Sequence, residues 1–413
     1  MNTYRSRLLD PLITSLLADV PALLLVGPRA VGKTTTAARH ARTVVRLDRP
    51  AEATAFRADA DAALRGLPEP VLLDEWQVVP EVLGAVKRAI DIDARPGRFL
   101  VTGSVRGDLD EQTWPGTGRL VRLTMFGMTV GEHTGSIAPP FLDAITGPSL
   151  VPDPANPLDL RGYVELALRG GFPDATLDRS PEARERWLES YVEQMLTRDA
   201  ELVDGGRDPL RLRRFFDAYA TSSAGIPTDR TLYEAAGINS RTADAYERLL
   251  ANLLVVEATP AWTSNRLKRL SLSPKRYLTD PALIGATLRL DVNGVLRDGD
   301  VLGRLLDTFV ASQLRAELPT TVSRPRLHHL RQQQGRHEVD LLAEQAGGTV
   351  IGIEVKAAAA PTARDARHLT WLRERLGDGF AAGVVLHTGP RVFRLGDRIM
   401  AVPICSLWDR GRA

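Results

Sequence analysis

The chain has one cysteine, Cys405, among 413 residues. A single thiol excludes an internal disulfide and a cysteine-based zinc site, and it fits a reducing cytoplasm. An excess of charge of one sign is lacking too. The formal net charge is +2, too near zero to argue for nucleic acid by itself. The first ten residues carry Arg5, Arg7 and Asp10 with no long apolar run after them, so no signal peptide is expected. Nothing later approaches the length that spans a membrane. Internal repeats and low-complexity tracts are also missing. What remains is an ordinary globular composition, 44% hydrophobic and 25% charged. The chain is longer than one core usually supports, so two or three domains in a cytoplasmic protein are expected.

Short apolar runs alternate with helical stretches in the first third. Ala22 to Val26 reads as a buried strand and Lys33 to Arg42 as a helix rich in Thr and Ala. Val71 to Leu73 and Arg98 to Thr102 read as two further buried strands. This alternation predicts a parallel sheet covered on both faces. The Pro-rich stretch from Ala138 to Pro157 is the best boundary. Helices follow from Arg161 through Tyr246. A second α/β region starts with a helix over Gly303 to Leu318 and continues with strands at Val339 to Leu342, Val350 to Lys356 and Ala382 to His387. The predicted division is residues 1–147, 148–295 and 296–413.

Gly27-Pro28-Arg29-Ala30-Val31-Gly32-Lys33-Thr34 satisfies G-x-x-x-x-G-K-[ST] at every position. Glycines let such a loop curl until several N–H groups face a phosphate. The lysine reaches the β and γ oxygens, and the hydroxyl ligates Mg²⁺. The loop falls between a buried strand and a helix N-terminus, where the helix dipole also favours an anion. ATP with Mg²⁺ is therefore the expected ligand, cradled by Gly27 to Thr34 and by Thr35, with Arg29 reading more as a solvated loop position than a catalytic one. The buried strand ending Asp74-Glu75 supplies paired carboxylates. Asp74 is expected to hold the Mg²⁺ together with Thr34, and Glu75 to activate the attacking water. Ser104, with Thr102 behind it, is a candidate contact to the γ-phosphate or that water. Arg119, in Gly116-Thr-Gly-Arg119, is a candidate arginine finger in cis or across a subunit boundary, and a surface arginine is the plain alternative.

The order of these motifs resembles the AAA-type ATPases that carry a C-terminal domain of unknown function, DUF4143, with a nuclease-like fold. The resemblance covers nearly the whole chain. It rests on the P-loop, Leu72-Leu73-Asp74-Glu75, Thr102-Gly103-Ser104 and Gly118-Arg119. It continues with Gly170-Gly171-Phe172-Pro173, Arg198-Asp199, Ser273-Pro274-Lys275-Arg276-Tyr277 with Asp280, and Glu338-Val339-Asp340 with Glu354-Val355-Lys356. The implied fold class is α/β: a P-loop parallel-sheet domain, a helical middle domain with a winged-helix-like module, and a C-terminal restriction-nuclease-like domain. Self-association is plausible from AAA-type relatives, which often place one subunit's arginine beside another's nucleotide.

Leu232 to Ala236, Gly237 and the stretch from Asn239 to Leu250 read as a helix-turn-helix, with Asn239 or Ser240 capping the second helix. Its functional reading puts Arg241 in a DNA groove, and the plain reading is a packing module. Arg266, Lys268, Arg269, Lys275 and Arg276, with Trp262 and Tyr277 nearby, would suit a phosphate backbone or simply form a solvated basic loop. In the last region Glu354 and Lys356 project to one side of a strand, with Asp340 opposite. This D…E-x-K set resembles the PD-(D/E)xK nuclease core, in which two carboxylates hold Mg²⁺ and the lysine activates a water. The resemblance makes Asp307 a further acid, where the family usually has Glu. No Gln-x-x-x-Tyr pattern follows in the next helix.

The leading expectation is a Mg²⁺-dependent ATPase whose nucleotide state controls a nucleic-acid-binding and, in the stronger form, nucleolytic C-terminal domain. The rival is an ATP-dependent switch or adaptor whose nuclease fold binds a partner without cutting. A small-molecule kinase is a third reading, opposed by the long C-terminal extension and by Glu75.

Overall fold

A computed structural model of the chain describes residues 4–104, 118–147, 151–200, 208–332 and 335–411. The predicted motif residue Gly116 lies outside them. The chain forms two compact units, Met1–Gly127 with Leu250–Val255, and Met128–Leu249 with Val256–Ala413.

The first unit is built on β1 (Ala22–Val26), β2 (Thr43–Arg46), β3 (Val71–Asp74), β4 (Phe99–Gly103) and β5 (Leu120–Thr124). All five run parallel in the order β2-β3-β4-β1-β5. Alternate side chains explain why the central strands read as continuous apolar runs. Leu24, Leu73 and Val101 enter one core with Val82 and Val86 of the helix Val82–Ile92. Leu23, Leu25, Leu72 and Leu100 enter the other with Leu9, Ile13 and Ala37, from the segment around helix α1 (Asp10–Asp19) and from helix α2 (Lys33–Ala38). The chain leaves β1 toward β2 on one side and returns as β5 on the other. That reversal opens a crevice at the carboxyl end of β1, where open α/β sheets bind ligands. Helix α2 stops at Ala38, short of the predicted Arg42, because the chain turns there to enter β2.

In the second unit, helices run from Leu160–Arg169 to Ser240–Asn252. The helix Asp229–Ala236 ends at Gly237, which takes φ 65° and closes the turn through Ile238 N–H on the Tyr233 carbonyl at 3.0 Å. Asn239 accepts from the Thr242 amide at 2.9 Å and so caps the next helix. Two short strands, β6 (Val256–Thr259) and β7 (Lys275–Leu278), pair antiparallel with residues 260–274 between them.

The helix Gly299–Glu317 starts four residues before the predicted Gly303, capped by Asp298. It leads to a mixed sheet of β8 (Arg326–Gln332), β9 (His337–Glu344), β10 (Val350–Lys356), β11 (Phe380–His387), β12 (Phe393–Gly396) and β13 (Ile399–Pro403). The order is β12-β13-β11-β10-β9-β8, with β10, β11 and β13 parallel and the other pairings antiparallel. The helix Arg367–Leu376 covers one face through Leu369 and Leu372. No helix among the described residues is long and apolar enough to cross a membrane.

Candidate functional site

The loop after β1 is shaped by two different glycine requirements. A Cβ at Gly27 would lie 2.1 Å from the Met125 carbonyl oxygen, so the loop can pass β5 only without a side chain. Gly32 takes φ 91°, a left-handed conformation that disfavours a side chain. Ala30 also has positive φ, 60°. Lys33 opens α2 and is 5% exposed, its ammonium donating to the carbonyls of Gly27 at 3.0 Å and Pro28 at 2.7 Å. Burial strips water from this ammonium and lowers its pKa to about 8, although Glu75 and Asp74 work the other way.

Asp74 closes β3, two strands from β1, and accepts from the Thr34 hydroxyl at 2.8 Å and from the Thr102 hydroxyl. Glu75 follows in the left-handed conformation, φ 57° and ψ 51°, and its carboxylate has hydrogen-bond partners of its own. The Ser104 hydroxyl holds Glu75 at 3.1 Å, and the Gln77 amide donates to its other oxygen. Two hydroxyls thus hold Asp74, and a third hydroxyl with an amide holds Glu75. Pro28 and Val31 are buried in the loop, Arg29 is half-buried, and Thr35 is exposed on the first turn of α2.

A second lysine–carboxylate cluster forms in the other unit. The Lys275 ammonium on β7 meets Asp307 at 2.5 Å, and Asp340 at 3.4 Å through its carboxylate and 3.2 Å through its carbonyl. The Tyr277 hydroxyl takes the other Asp307 oxygen at 2.9 Å. Asp340 accepts from the Val355 amide at 3.0 Å, and Lys356 pairs with Glu354 at 2.7 Å while lying 3.9 Å from Asp340. Burial opposes the charge on Lys275, yet Asp307 and Asp340 carry its pKa well above the ordinary value. Burial and the neighbouring Asp340 push Glu354 well up.

Against these geometries, residues 19–134 match the AAA domain family, and residues 302–407 match the domain of unknown function DUF4143. The chain thus carries an AAA-family domain in its N-terminal part and a DUF4143 domain in its C-terminal part. Residues 160–293 match a further domain of unknown function, DUF8612. Uncharacterised proteins of Mycobacterium bovis and Mycobacterium tuberculosis are each 28% identical over 399 residues, 95% of this chain and 82% of theirs. Among solved structures, a Walker-type ATPase of Pyrococcus abyssi is similar at 13% identity with a TM-score of 0.42, over 68% of this chain and 94% of that one.

In the AAA domain the P-loop, Asp74, Glu75 and Ser104 come together, and Ser104 contacts Glu75 itself. Arg119 does not join them. It precedes β5, whose Leu120 pairs with Ala22 at the start of β1, whereas the loop leaves β1 after Val26. The length of a five-residue strand, about 15 Å, therefore separates Arg119 from the phosphate end. Its guanidinium is paired with Asp91 at 2.9 Å. A finger role in cis is thus corrected by the direction of the strand.

The acids expected to hold metal in the DUF4143 domain meet two lysines. Asp307, Asp340 and Glu354 do converge, but the described residues hold no group of three or more His, Cys, Asp or Glu arranged to take a metal ion. The Lys275 ammonium stands between the two aspartates, and Lys356 is committed to Glu354 instead of to a water. The residues present do not fit a divalent ion. The basic run divides, with Arg266 and Lys268 exposed and the other three engaged by carboxylates. Lys275 and Arg276 are 3% and 4% exposed, Arg276 binding Glu247 and Asp229. Arg269 is held by Glu344 through both nitrogens, at 2.7 and 2.8 Å.

One residue at the loop escaped the sequence, and one contact joins two of its motifs. Arg7 is 5% exposed and donates to the Val31 carbonyl in the P-loop and to the Phe126 carbonyl after β5, both at 2.8 Å. It ties the loop to the neighbouring strand, and nothing in a polar N-terminal stretch marks it. Asp280 explains the Gly170-Gly171 motif: it accepts from the Gly171 amide at 2.8 Å, and a Cβ at Gly170 would lie 2.5 Å from it.

Proposed function

We propose that the AAA domain hydrolyses ATP with Mg²⁺. The observation that carries this is the hydrogen bond from Thr34 to Asp74, which brings a P-loop hydroxyl and a strand-end carboxylate to one point, with Glu75 beside them. Thr34 and Asp74 would hold Mg²⁺, whose chemistry there is to neutralise charge on the β and γ oxygens. Lys33 binds the same oxygens. Glu75 takes the proton of the attacking water, and Ser104 and Gln77 fix the direction in which its carboxylate points. Glu75→Gln should bind ATP as the native chain does while phosphate release falls on the order of 10²–10⁴-fold. Native phosphate release in that variant would overturn the assignment. In this reading Arg119 serves only between copies, in a homo-oligomer.

For the DUF4143 domain, Lys275 supports the reading in which nucleotide state controls binding of a partner, nucleic acid being the proposed class, without cleavage. The capped helix after Gly237 gives little support to a groove-reading role, since its Arg241 and Arg248 share that helix with Asp244 and Glu247. Single- and double-stranded DNA should survive incubation with Mg²⁺ or Mn²⁺. Cleavage that disappears in both Asp340→Ala and Lys356→Ala would restore the nucleolytic reading.

A further inference from the structure

We infer that Lys275 serves as the resident cation of the DUF4143 carboxylate cluster and excludes divalent metal from it. The inference deepens the non-cleaving reading above and rests on the same cluster, but it concerns metal binding and has its own readout.

The argument begins with the oxygens. Asp307 gives one to Lys275 and the other to Tyr277. Asp340 gives one to Lys275 and the other to the Val355 amide. Glu354 gives one to Lys356, and its Oε1 alone is buried without a hydrogen-bond partner among the described residues. Mg²⁺ keeps several waters and takes one or two carboxylates from a protein, and here no carboxylate has both oxygens clear of a donor.

Charge leads the same way. Three carboxylates meet two ammonium groups within the cluster, so its net charge is at most one negative. Adding a divalent ion would leave a surplus of positive charge in a buried place, and such a surplus is costly. Moving Lys275 out would change both facts together, freeing an oxygen on each aspartate and leaving up to two negative charges in excess.

The position of Lys275 is also built and not incidental. It sits on β7, where successive side chains point to opposite sides. Lys275 reaches Asp307 and Asp340, while Arg276 turns the other way to Glu247 and Asp229 and accepts, through its carbonyl, the Ala224 amide at 2.7 Å. Tyr277 returns to the Lys275 side and completes the shell of Asp307. The short motif Lys275-Arg276-Tyr277 therefore supplies a cation and a hydroxyl to the carboxylates and a second cation to the helix pair.

The test uses the full chain without nucleotide and Mn²⁺ as the probe, with free Mn²⁺ followed by its paramagnetic resonance. The chain is compared with Asp340→Asn, Lys275→Met and Lys275→Met/Asp340→Asn. Any Mn²⁺ taken up elsewhere, including at the P-loop, is common to all four. The native chain and Asp340→Asn should bind Mn²⁺ equally. Lys275→Met should gain one site per chain, at least tenfold tighter than anything Asp340-dependent in the native chain, and the double variant should lose it. Native binding that Asp340→Asn removes would overturn the inference, and so would a folded Lys275→Met that gains nothing. Should Lys275→Met fail to fold, Lys275→Gln takes its place. Should neither fold, the comparison of native chain with Asp340→Asn decides alone, equality supporting the inference and a difference sinking it. Mn²⁺ taken at Asp340 without DNA cleavage fails only this inference, whereas Asp340-dependent cleavage fails the binding reading.

Discussion

The lysine–carboxylate clusters around Lys33 and around Lys275 are solved in opposite ways. In the AAA domain Lys33 donates only to main-chain carbonyls of its own loop, and Asp74 and Glu75 are satisfied by hydroxyls and an amide. No carboxylate there is spent on the ammonium. In the DUF4143 domain Lys275 is bonded directly to Asp307 and Asp340. Burial lowers the first lysine to about 8, while the second is held well above its ordinary value by its partners. The same residue types therefore mark a place prepared for an anion in one unit and an internally neutralised contact in the other. Hydrogen-bond partners, and not composition, separate the two.

The strongest way to break this comparison is to remove each lysine and measure stability. Lys275→Met strands Asp307 and Asp340, and deleting one partner of a buried ion pair costs about 3–5 kcal/mol. Urea unfolding should show that loss, and Lys33→Met should show less than about 1 kcal/mol, because losing two hydrogen bonds to carbonyls is offset by no longer burying an ammonium. Equal losses would mean that both lysines are structural. The next largest effect is catalytic. Lys33→Ala removes the ammonium aimed at the phosphates and should cut ATP turnover by about 10²–10³-fold, measured as phosphate release, with the unfolding midpoint unchanged. A turnover within a few-fold of native would place the phosphate-binding charge elsewhere.

The part of this picture that was legible in the sequence is the part encoded by neighbours in the chain. Gly27 to Thr34 are contiguous, and Asp74-Glu75 follow a fully buried strand, so spacing alone exposes them. The central strands β1, β3 and β4 were visible for the same reason. Their flanking strands β2 and β5 were not: each is half-exposed, with only Val45 and Leu123 buried, so neither gives a continuous apolar run. Arg119 stayed open between cis, trans and a plain surface role because its motif carries no information on which end of the sheet it occupies. Lys275 was read as one of five basic residues near a strand. Its partners lie 32 and 65 positions away, and no local pattern distinguishes a buried lysine from a solvated one. The D…E-x-K spacing was read correctly as converging side chains. What it does not encode is the cation that meets them, which arrives from another strand.

The smallest expected effect sharpens the comparison by titration. The nucleotide-free AAA domain holds Lys33 near a pKa of about 8, below its ordinary value of 10.5. Between those two pH values the unfolded chain binds a proton that the fold does not, so the depressed value costs stability as pH falls from 10.5 toward 8, and the cost is constant below that. Bound phosphates favour the ammonium and must reverse this. Above pH 8, ATP binding should therefore take up a proton at Lys33. Affinity should be flat from pH 7 to 8 and then weaken roughly tenfold per pH unit, read as the dissociation constant of a fluorescent ATP analogue up to pH 9.5. Lys33→Arg should flatten the profile at a lower affinity, since a guanidinium keeps its charge throughout this range. No matching step belongs to Lys275, whose partners keep it protonated beyond this window. A native profile that stays flat to pH 9.5 would show that Lys33 keeps its proton throughout, as Lys275 does, and the contrast between the two clusters would collapse.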